Sequence, residues 1–442
     1  MRSWLGALLA ALVVTSACAA PERTVVAQAA RPERTVVAQA ARPERTVVVV
    51  LFDGFAPAEL DAARPTPNFD RMKREGAWSR HLVPAFPTIS LINHTTYETG
   101  CWPAHHGIMS NYFYDPVRGA FDEHNPTVGD ADWHTGCEAM WEAAERQGVK
   151  TAVLNWVGRW STTRGQLSTF ANANVPWAMR ESDDAIVSKA VKMLHDTSAN
   201  HPRLIALYFD IPDHVAHEDG VAGPRTGEAV RRTDRIVGKL MAAIRSMPKG
   251  REGTLVVGTD HGMMDIGPLI NVGRLMNLYG IKGREASDGA STIFYLDKGE
   301  SADRVQKALS AYSQYFTVYK RGHYPSFVHW GDGPRAGDLL LIAKPPYWVV
   351  GGGQMPAWAH WLGVTHFWPV VFTPPVGGIK ATHGYDPAVV QMHGIFYAWG
   401  AGVAPGREIK RLDMVDIHPT VMSLLGLQPG RPVDGKPLSL SP

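Results

Sequence analysis

The chain has 442 residues, of which 45% are hydrophobic and 19% are charged, with a formal net charge of +2. This length and composition are typical of a globular protein with two or three domains, or of one large α/β domain that carries insertions. So small a net charge offers no basic surface, and it argues against a nucleic-acid polymer as a partner.

The first 20 residues have the pattern of an export signal. Arg2 precedes an apolar stretch over 4–14, and small residues continue to Ala20. The apolar stretch is shorter than the roughly 20 residues that cross a bilayer, so we expect cleavage and release into the bacterial periplasm or the medium. Cys18 leaves a lipid anchor open as an alternative, because the three residues before it loosely resemble a lipoprotein box. That anchor is the only membrane attachment that the sequence suggests.

Residues 21–44 contain an internal repeat. RTVVAQAARPE occupies 23–33 and recurs at 34–44, and a third copy begins at Arg45 before it merges into an apolar run. Two copies are too few for a solenoid, which needs about three or more stacked units. We interpret the segment as a tether ahead of a catalytic domain over 45–442. The alternative is that the repeat arose by expansion of the strand entrance and has no function.

From residue 46 onward, apolar and β-branched runs are separated by helical patterns. Runs of this kind indicate strands buried on both faces of a sheet, and they lie at 47–52, 151–154, 204–209, 254–257, 292–296, 339–342 and 395–399. Thr66 and Pro67 mark the start of one helix and Gly76 its end, and apolar residues recur at helical spacing over 230–244 and 417–425. The sequence therefore predicts an α/β fold with a mostly parallel central sheet sandwiched between helices.

Side chains that can bind metals lie after these strands or at turns, in six separated places. Carboxylates, imidazoles and one hydroxyl form a mixed oxygen and nitrogen set, which suits zinc or another divalent ion better than calcium; the residues are Asp53, Thr88, Asp213, His217, Asp260, His261 and His383. Three of the carboxylates follow predicted strands, at the sheet edge where α/β proteins bind ligands. A turn or a helix cap would explain any one of these residues, but together they predict a site large enough for two metal ions.

A hydroxyl before a predicted helix is the candidate nucleophile. Pro87 disfavours a helix before it, and residues 90–99 can form one, so Thr88 is expected at a helix start, where unpaired N–H groups bind phosphate. Metal coordination would lower the pKa of the Thr88 hydroxyl; a simple helix cap is the alternative. Ser90 is the competing hydroxyl, and we expect the helix to turn it away from the metal.

Cys101 and Cys137 remain after cleavage of the signal. An oxidising compartment would permit a disulfide between them, and two buried free thiols are the alternative. The sequence does not decide between the two, because a disulfide requires a spatial separation that it does not show.

Several motifs in combination resemble the nucleotide pyrophosphatase/phosphodiesterase family of the alkaline phosphatase superfamily. They are FDG at Asp53, TPNFDRM from Thr66, FPTISLINH with HHGIMSN as far as Asn111, PDHVAH from Asp213, TDHGM around Asp260 and THGYDP around His383. The resemblance spans nearly all of 46–435 and implies an alkaline-phosphatase-like fold. The segment 266–380, rich in Trp, Pro and Gly, is expected to contain an inserted cap or lid that shapes the substrate pocket.

The resemblance implies a role for each site residue. One zinc ion would be held by Asp213, His217 and His383, and the other by Asp53, Thr88, Asp260 and His261. Thr88 would attack phosphorus to give a covalent intermediate, and Asn111 would donate to a phosphoryl oxygen. Tyr112 and Trp156 are candidates for substrate contact, with a place in the core as the alternative for each. His214 and Ala216 depart from the serine and glycine that are usual in the family.

The sequence therefore predicts a two-zinc hydrolase that cleaves phosphodiester or pyrophosphate bonds of nucleotides or related small-molecule diesters. A phosphomonoesterase or phosphonate hydrolase with the same machinery is the nearest alternative, distinguished by what fills the pocket beside phosphorus. The basic candidates for that place are Arg159, Arg164 and Lys380. A catalytically silent exported binding protein is a third interpretation, which a missing ligand or nucleophile would have supported.

Overall fold

The computed structural model describes residues 44–134, 136–156, 168–171, 180–373 and 378–441. The export signal, Cys18, most of the tether, Arg159 and Arg164 lie outside these residues. The described strands are β1 Glu44–Asp53, β2 Ala77–Val83, β3 Tyr112–Asp115, β4 Gly119–Asp122, β5 Thr151–Leu154, β6 Phe170–Ala171, β7 Leu204–Pro212, β8 Arg251–Thr259, β9 Met264–Asp265, β10 Leu269–Asn271, β11 Gly283–Asp288, β12 Ser291–Leu296, β13 Phe316–Lys320, β14 Leu339–Ala343, β15 Trp348–Val350, β16 Val371–Phe372, β17 Ala381–Thr382, β18 Gly394–Gly400, β19 Arg407–Glu408 and β20 Leu412–Asp413.

Helices connect most of these strands. They are α1 Pro57–Ala62, α2 Pro67–Glu75, α3 Ser90–Thr99, α4 Pro103–His106, α5 Met140–Arg146, α6 Asp183–His195, α7 Asp213–Asp219, α8 Pro224–Arg245, α9 Val272–Tyr279, α10 Ala302–Leu309, α11 Ala357–Trp361, α12 Val364–Phe367 and α13 Ile417–Leu425. Helix α2 begins with proline at its first position, as the sequence predicts, because proline has no N–H to lose there. The helical patterns over 230–244 and 417–425 correspond to α8 and α13.

The central sheet has the order β19–β2–β18–β8–β1–β7–β5–β6, with β20 beside β2. Strand β1 pairs in parallel with β7 and β8, and within this sheet β18 runs antiparallel to β8 and β2. Side chains of β1 alternate between two cores: Val47 and Val49 belong to the core that includes α13, while Val48 and Val50 belong to the core that includes α8. Both faces of the sheet are therefore covered, which confirms the predicted α/β sandwich and explains why β1 has no polar alternation.

The segment 266–380 forms smaller sheets of its own. Strands β11, β12, β14 and β13 make an antiparallel sheet in that order, and β10 lies between β15 and β16 in another. The apolar runs at 292–296 and 339–342 belong to the first of these sheets, so the expectation that they lie in the parallel central sheet is wrong. They lack polar alternation because this small sheet is also covered twice: Leu340 and Ile342 face one core, and Leu339 and Leu341 face another.

Cys101 and Cys137 form a disulfide that closes a loop of 36 residues. It joins the end of α3 to the segment before α5. Of the two alternatives left open by the sequence, the disulfide is therefore the one found, and not two free thiols. Among the described helices, none combines the length and the apolar character needed to cross a bilayer.

Candidate active site

Three carboxylates converge at the carboxyl edge of the central sheet, as predicted from their positions after strands. Asp53 is the last residue of β1, Asp213 follows β7 at the start of α7, and Asp260 follows β8. Because β7, β1 and β8 are adjacent and parallel, their carboxyl ends meet at one edge. Gly54 permits the close approach of Asp213: it has φ +56°, and a Cβ there would lie 2.4 Å from the Asp213 Oδ1 atom.

The first ligand set consists of Asp213, His217 and His383. The two histidines place their Nε2 atoms 3.2 Å apart, and the Asp213 carboxylate lies 3.3 Å from the first and 3.6 Å from the second. His217 Nδ1 bonds to the Ala381 carbonyl at 2.7 Å and His383 Nδ1 to the Thr88 carbonyl at 3.2 Å. These bonds fix each ring so that Nε2 faces the set, which is the usual arrangement behind a histidine ligand.

The second set consists of Asp53, Asp260 and His261. His261 Nε2 lies 3.3 Å from Asp53 Oδ1 and 3.4 Å from Asp260 Oδ2, and its Nδ1 bonds to the Gly262 carbonyl at 2.9 Å. All three residues are buried. The His261 ring stacks on that of His383 with centroids 3.8 Å apart, so the two sets adjoin.

The donor atoms of both sets fit a divalent cation. Within each set one atom from every residue lies within 4.8 Å of the others, and the buried Asp213 Oδ1 has no hydrogen-bond partner among the described residues. A mixed imidazole and carboxylate set with converging, incompletely satisfied donors is the composition that zinc and similar ions take in proteins.

The pKa values of the histidines show that these sets attract positive charge. Burial would lower the pKa of His261, but the charge of Asp260 and the bond to Asp53 raise it to about 10. Burial opposes protonation of His217 as well, and Asp213 nevertheless raises its pKa to about 9. The carboxylates thus hold protons on His217 and His261 when no metal is present, and an incoming ion must displace them. Burial, followed by the charges of His261 and His217, lowers the pKa of His383 instead, so its ring is neutral.

Two buried side chains hold the carboxylates of the second set and are not apparent from the sequence motifs as ligands. His94 Nε2 lies 3.1 Å from Asp260 Oδ2, and the Tyr208 hydroxyl donates to Asp53 Oδ2. The ring centroids of His94 and Tyr208 are 4.7 Å apart. Tyr208 lies on β7 opposite Leu51 of β1. The apolar run of that strand indicates only that Tyr208 is a core residue, not that its hydroxyl contacts a metal ligand.

The structure gives the two candidate hydroxyls different surroundings. The Thr88 hydroxyl donates to the Tyr385 carbonyl at 3.1 Å and accepts from the Gly384 N–H at 3.0 Å, so it contacts the loop after His383. Ser90 Oγ lies 3.4 Å from Asp53 Oδ1 and 3.3 Å from His261 Nε2. Helix α3 begins at Ser90, as the sequence predicts, but the expectation that the helix turns Ser90 away from the metal side is wrong.

Asn111 lies beside Ser90 at the start of α3. Its Oδ1 accepts from the backbone N–H of Leu91 at 2.9 Å, which leaves the amide Nδ2 as a donor, and the residue lines the active-site cavity. Tyr112 is half-buried and donates to Glu123 at 3.2 Å rather than lining the cavity itself. The structure does not bring Trp156 to the cavity: its ring is 5% exposed and packs in the core against the rings of Tyr97 and Trp141.

A cavity of about 930 Å³ opens beside the two sets and Ser90. Much of its apolar wall comes from the segment 266–380, including Trp348, Val349, Met355, Trp358 and Phe372. Its polar end is lined by Asp53, Ser90, Asn111, Glu123, Asp213, His217, Asp288 and His383. An ester with a phosphoryl group at the polar end would therefore extend its substituent along an apolar wall.

A family comparison decides the class of the protein. The sequence model described as type I phosphodiesterase / nucleotide pyrophosphatase matches residues 47–386. The chain belongs to this family. The protein is accordingly a hydrolase of the phosphodiesterase and nucleotide pyrophosphatase class, as the motifs predict.

Similar proteins agree with this membership. Ectonucleotide pyrophosphatase/phosphodiesterase family member 7 of Rattus norvegicus is 26% identical over 401 residues, which cover 89% of this chain and 86% of that protein. Venom phosphodiesterase 2 of Crotalus adamanteus is 26% identical over 377 residues, which cover 82% of this chain and 43% of that protein. Murine ectonucleotide pyrophosphatase/phosphodiesterase 5 superposes with a TM-score of 0.75 at 22% identity and covers 88% of this chain and 97% of its own. An inactive threonine-to-alanine variant of that protein, in complex with AMP, superposes with a TM-score of 0.74.

Proposed function

We propose that the protein is a two-metal phosphodiesterase that uses Thr88 as its nucleophile and acts on nucleotides or related diesters. The observation that carries the proposal is the pair of adjoining ligand sets beside Thr88, whose carbonyl bonds to His383 Nδ1 at 3.2 Å. The inactive threonine-to-alanine variant of the murine relative supports a threonine nucleophile. Ser90, whose Oγ lies 3.3 Å from His261 Nε2, is the alternative. A divalent ion in each set, zinc being the best match to the donors, would supply positive charge for the phosphoryl oxygens and lower the pKa of the nucleophilic hydroxyl.

The side chains around the two sets have the remaining roles. Thr88 Oγ1 forms a bond to phosphorus while the bond to the leaving oxygen breaks, and water afterwards cleaves the phosphothreonine ester. Asn111 presents its amide Nδ2 to a phosphoryl oxygen, since its Oδ1 is engaged by Leu91. Ser90 contacts Asp53 and His261 of the second set.

A diester rather than a monoester is favoured by the charges around the cavity. Lys380 is the one lysine or arginine among the described residues that line it, and its Nζ lies 4.0 Å from Asp219. A monoester dianion needs an additional cation beside phosphorus, whereas a diester carries a single negative charge. The AMP complex of the murine relative supports a nucleoside monophosphate as the product group that such a site can hold.

The test compares three forms of the zinc-loaded protein on a nucleoside p-nitrophenyl phosphate diester and on p-nitrophenyl phosphate. We expect the wild type to prefer the diester, Thr88→Ala to lose at least about 10³-fold in kcat, and Ser90→Ala to lose less than about 10-fold. Ser90→Ala is the matched control, because it removes a neighbouring hydroxyl from the same segment. Preference for the monoester would move the protein to the phosphatase class, and an active Thr88→Ala variant would exclude this nucleophile.

We also propose export and a pocket-shaping role for the segment 266–380. The Cys101–Cys137 disulfide supports passage through an oxidising compartment, and the apolar cavity wall supports the second role. Mass spectrometry of the mature N-terminus tests the first proposal: a start after Ala19 or Ala20 indicates release, and a diacylglyceryl group on Cys18 indicates a lipid anchor. An unprocessed Met1 in the purified native protein would contradict both forms of export.

A further inference from the structure

Two short helices beside the cavity expose large apolar side chains. Helices α11 and α12 are separated by Leu362 and Gly363, and they present Trp361 at 84% exposure and Phe367 at 82%. Trp358 and Leu362 are each almost half exposed, and the Phe367 ring lies against the turn, where a Cβ on Gly363 would be 2.7 Å from it. We call four of these side chains the apolar patch: Trp358, Trp361, Leu362 and Phe367. Single exposed apolar residues are ordinary, but several in one short segment mark an interaction surface.

The sequence around the apolar patch contains no charged residue. Residues 345–379 include no Asp, Glu, Lys or Arg, although these four types make up 19% of the chain and would provide about seven in a stretch of this length. Burial of an unpaired charge is costly, so a surface without charges can leave water at little cost. The absence of charge also argues against a partner held by electrostatic attraction, such as a nucleic acid or a strongly charged protein.

The backbone of α12 is already hydrogen-bonded within the protein. Asn271 Nδ2 donates to the Val364 carbonyl at 2.9 Å, and Asn277 Nδ2 of α9 donates to the Thr365 carbonyl at 2.7 Å. The Arg274 side chain donates to the carbonyl that follows. Carbonyls at the end of a helix otherwise depend on water, and a lipid environment cannot replace that water. Because these three are satisfied from the protein side, α12 can contact lipid without losing their hydrogen bonds.

The size of the apolar patch favours a lipid surface over a second protein chain. Taking about 150–250 Å² for each fully exposed aromatic side chain, the exposed parts of the four residues amount to roughly 500 Å². A stable protein–protein interface buries about 800 Å² on each partner. A bilayer needs no complementary partner surface, and tryptophan side chains are favoured at its headgroup level.

We propose that the apolar patch docks the protein on the surface of a zwitterionic phospholipid bilayer, with Trp361 and Phe367 inserted among the headgroups. This inference goes beyond the proposed diesterase function and does not depend on it. Trp358 belongs to the apolar patch and also lines the cavity, as Ala359 and Val364 do, so docking places this wall of the cavity at the bilayer surface. Insertion of uncharged side chains makes the binding insensitive to salt, which screens only charges.

The test is flotation of the exported protein with phosphatidylcholine vesicles. Every form carries Cys18→Ser, so that no acyl chain can bind the vesicles in place of the apolar patch. We expect the form with an intact patch to float, and Trp361→Ser combined with Phe367→Ser to lower the partition coefficient by at least about 10-fold. Between about 0.05 and 0.5 M sodium chloride, the coefficient of the intact form should change by less than about twofold.

Two controls separate docking from folding and from catalysis. Val117→Ser removes an apolar side chain that is 92% exposed in the turn between β3 and β4, and this variant should float as the intact form does. The double variant should keep the urea unfolding midpoint and the hydrolysis rate of a soluble p-nitrophenyl diester, since neither Trp361 nor Phe367 is among the described residues that line the cavity. Flotation involves no turnover, so failure of the diesterase function would leave the docking result unaffected.

Four results would overturn the proposal. The first is an intact form that does not float, and the second is a double variant that floats equally well. A bound fraction that falls steeply with salt would show that a charged surface elsewhere binds the vesicles. A dimer in sedimentation velocity that the double variant lacks would assign the apolar patch to a second copy of this chain instead.

Discussion

Removal of the Tyr208 hydroxyl should weaken one metal set and spare the other. Tyr208→Phe keeps the ring that packs against His94 but deletes the donor to Asp53 Oδ2. Both residues are buried, so water cannot replace the lost bond easily. A hydrogen bond to an ionised carboxylate contributes about 1.5–3 kcal/mol, and loss of an outer partner of a ligand typically costs about 10- to 100-fold in metal affinity.

The assay is competition of the protein with a chromophoric chelator for zinc, fitted for two sites. In Tyr208→Phe we expect the zinc affinity of the set that contains Asp53 to fall by about 10- to 100-fold. The set formed by Asp213, His217 and His383 should keep its affinity. Tyr97→Phe is the matched control, because the Tyr97 hydroxyl is buried with no hydrogen-bond partner among the described residues. Equal loss at both sites, or an equal effect of Tyr97→Phe, would refute the reasoning that Tyr208 acts through Asp53.

Four further predictions concern proton linkage and stability. Since the pKa is raised to about 10 for His261 and about 9 for His217, zinc affinity should increase with pH up to that range, and calorimetry in buffers of different ionisation enthalpy should detect proton release on binding. In the metal-free protein the same raised pKa values stabilise the fold fully below pH 6.5 and lose this effect through pH 9 to 10; a stability that rises over this range would contradict the assignment. Cys137→Ser opens a loop of 36 residues, which should cost about 3–4 kcal/mol in urea unfolding; an unchanged midpoint would contradict it. Arg335→Ala leaves the buried Asp115 carboxylate, which lies 2.6 Å from the Arg335 guanidinium, without its charged partner. The change should cost about 3–5 kcal/mol in the same assay, whereas a loss below about 1 kcal/mol would place the pair among surface ion pairs.

The sequence was sufficient for the central sheet and the metal sets because both follow from one-dimensional patterns. Apolar runs without alternation predict doubly covered strands, and parallel strands bring their carboxyl ends to one edge. Asp53, Asp213 and Asp260 could be placed together on that basis. The same pattern could not separate the runs at 292–296 and 339–342 from the central sheet, because a small antiparallel sheet covered on both faces produces identical runs.

The surroundings of the two candidate hydroxyls could not be predicted from the sequence. The helix over 90–99 is predicted correctly. That prediction does not show that Ser90 Oγ lies against Asp53 and His261, which come from distant segments. Tertiary contacts with Gly384 and Tyr385 engage the Thr88 hydroxyl, and no local signal reveals contacts almost 300 residues away.

Residues that act through others were the hardest to foresee. Tyr208, Glu123 and Asp288 lie in none of the quoted motifs, and each is placed by the meeting of distant segments. His94 ends the FPTISLINH motif, but the motif does not show that its ring contacts Asp260. Trp156 shows the reverse case: an aromatic residue beside a family motif was a candidate for substrate contact, but it packs in the core. Burial of a large aromatic side chain in the core is favourable in itself, so contact with a ligand is not needed to explain its position.

Identification of the phosphorylated residue tests the central claim most directly. The zinc-loaded protein is mixed with a diester, quenched in acid within the first turnover, digested, and the peptide that contains both Thr88 and Ser90 is fragmented in a mass spectrometer. We predict a phosphoryl group on Thr88. A phosphoryl group on Ser90, or continued turnover of the diester by Thr88→Ala, would contradict the assignment of the nucleophile and with it the mechanism proposed for this site.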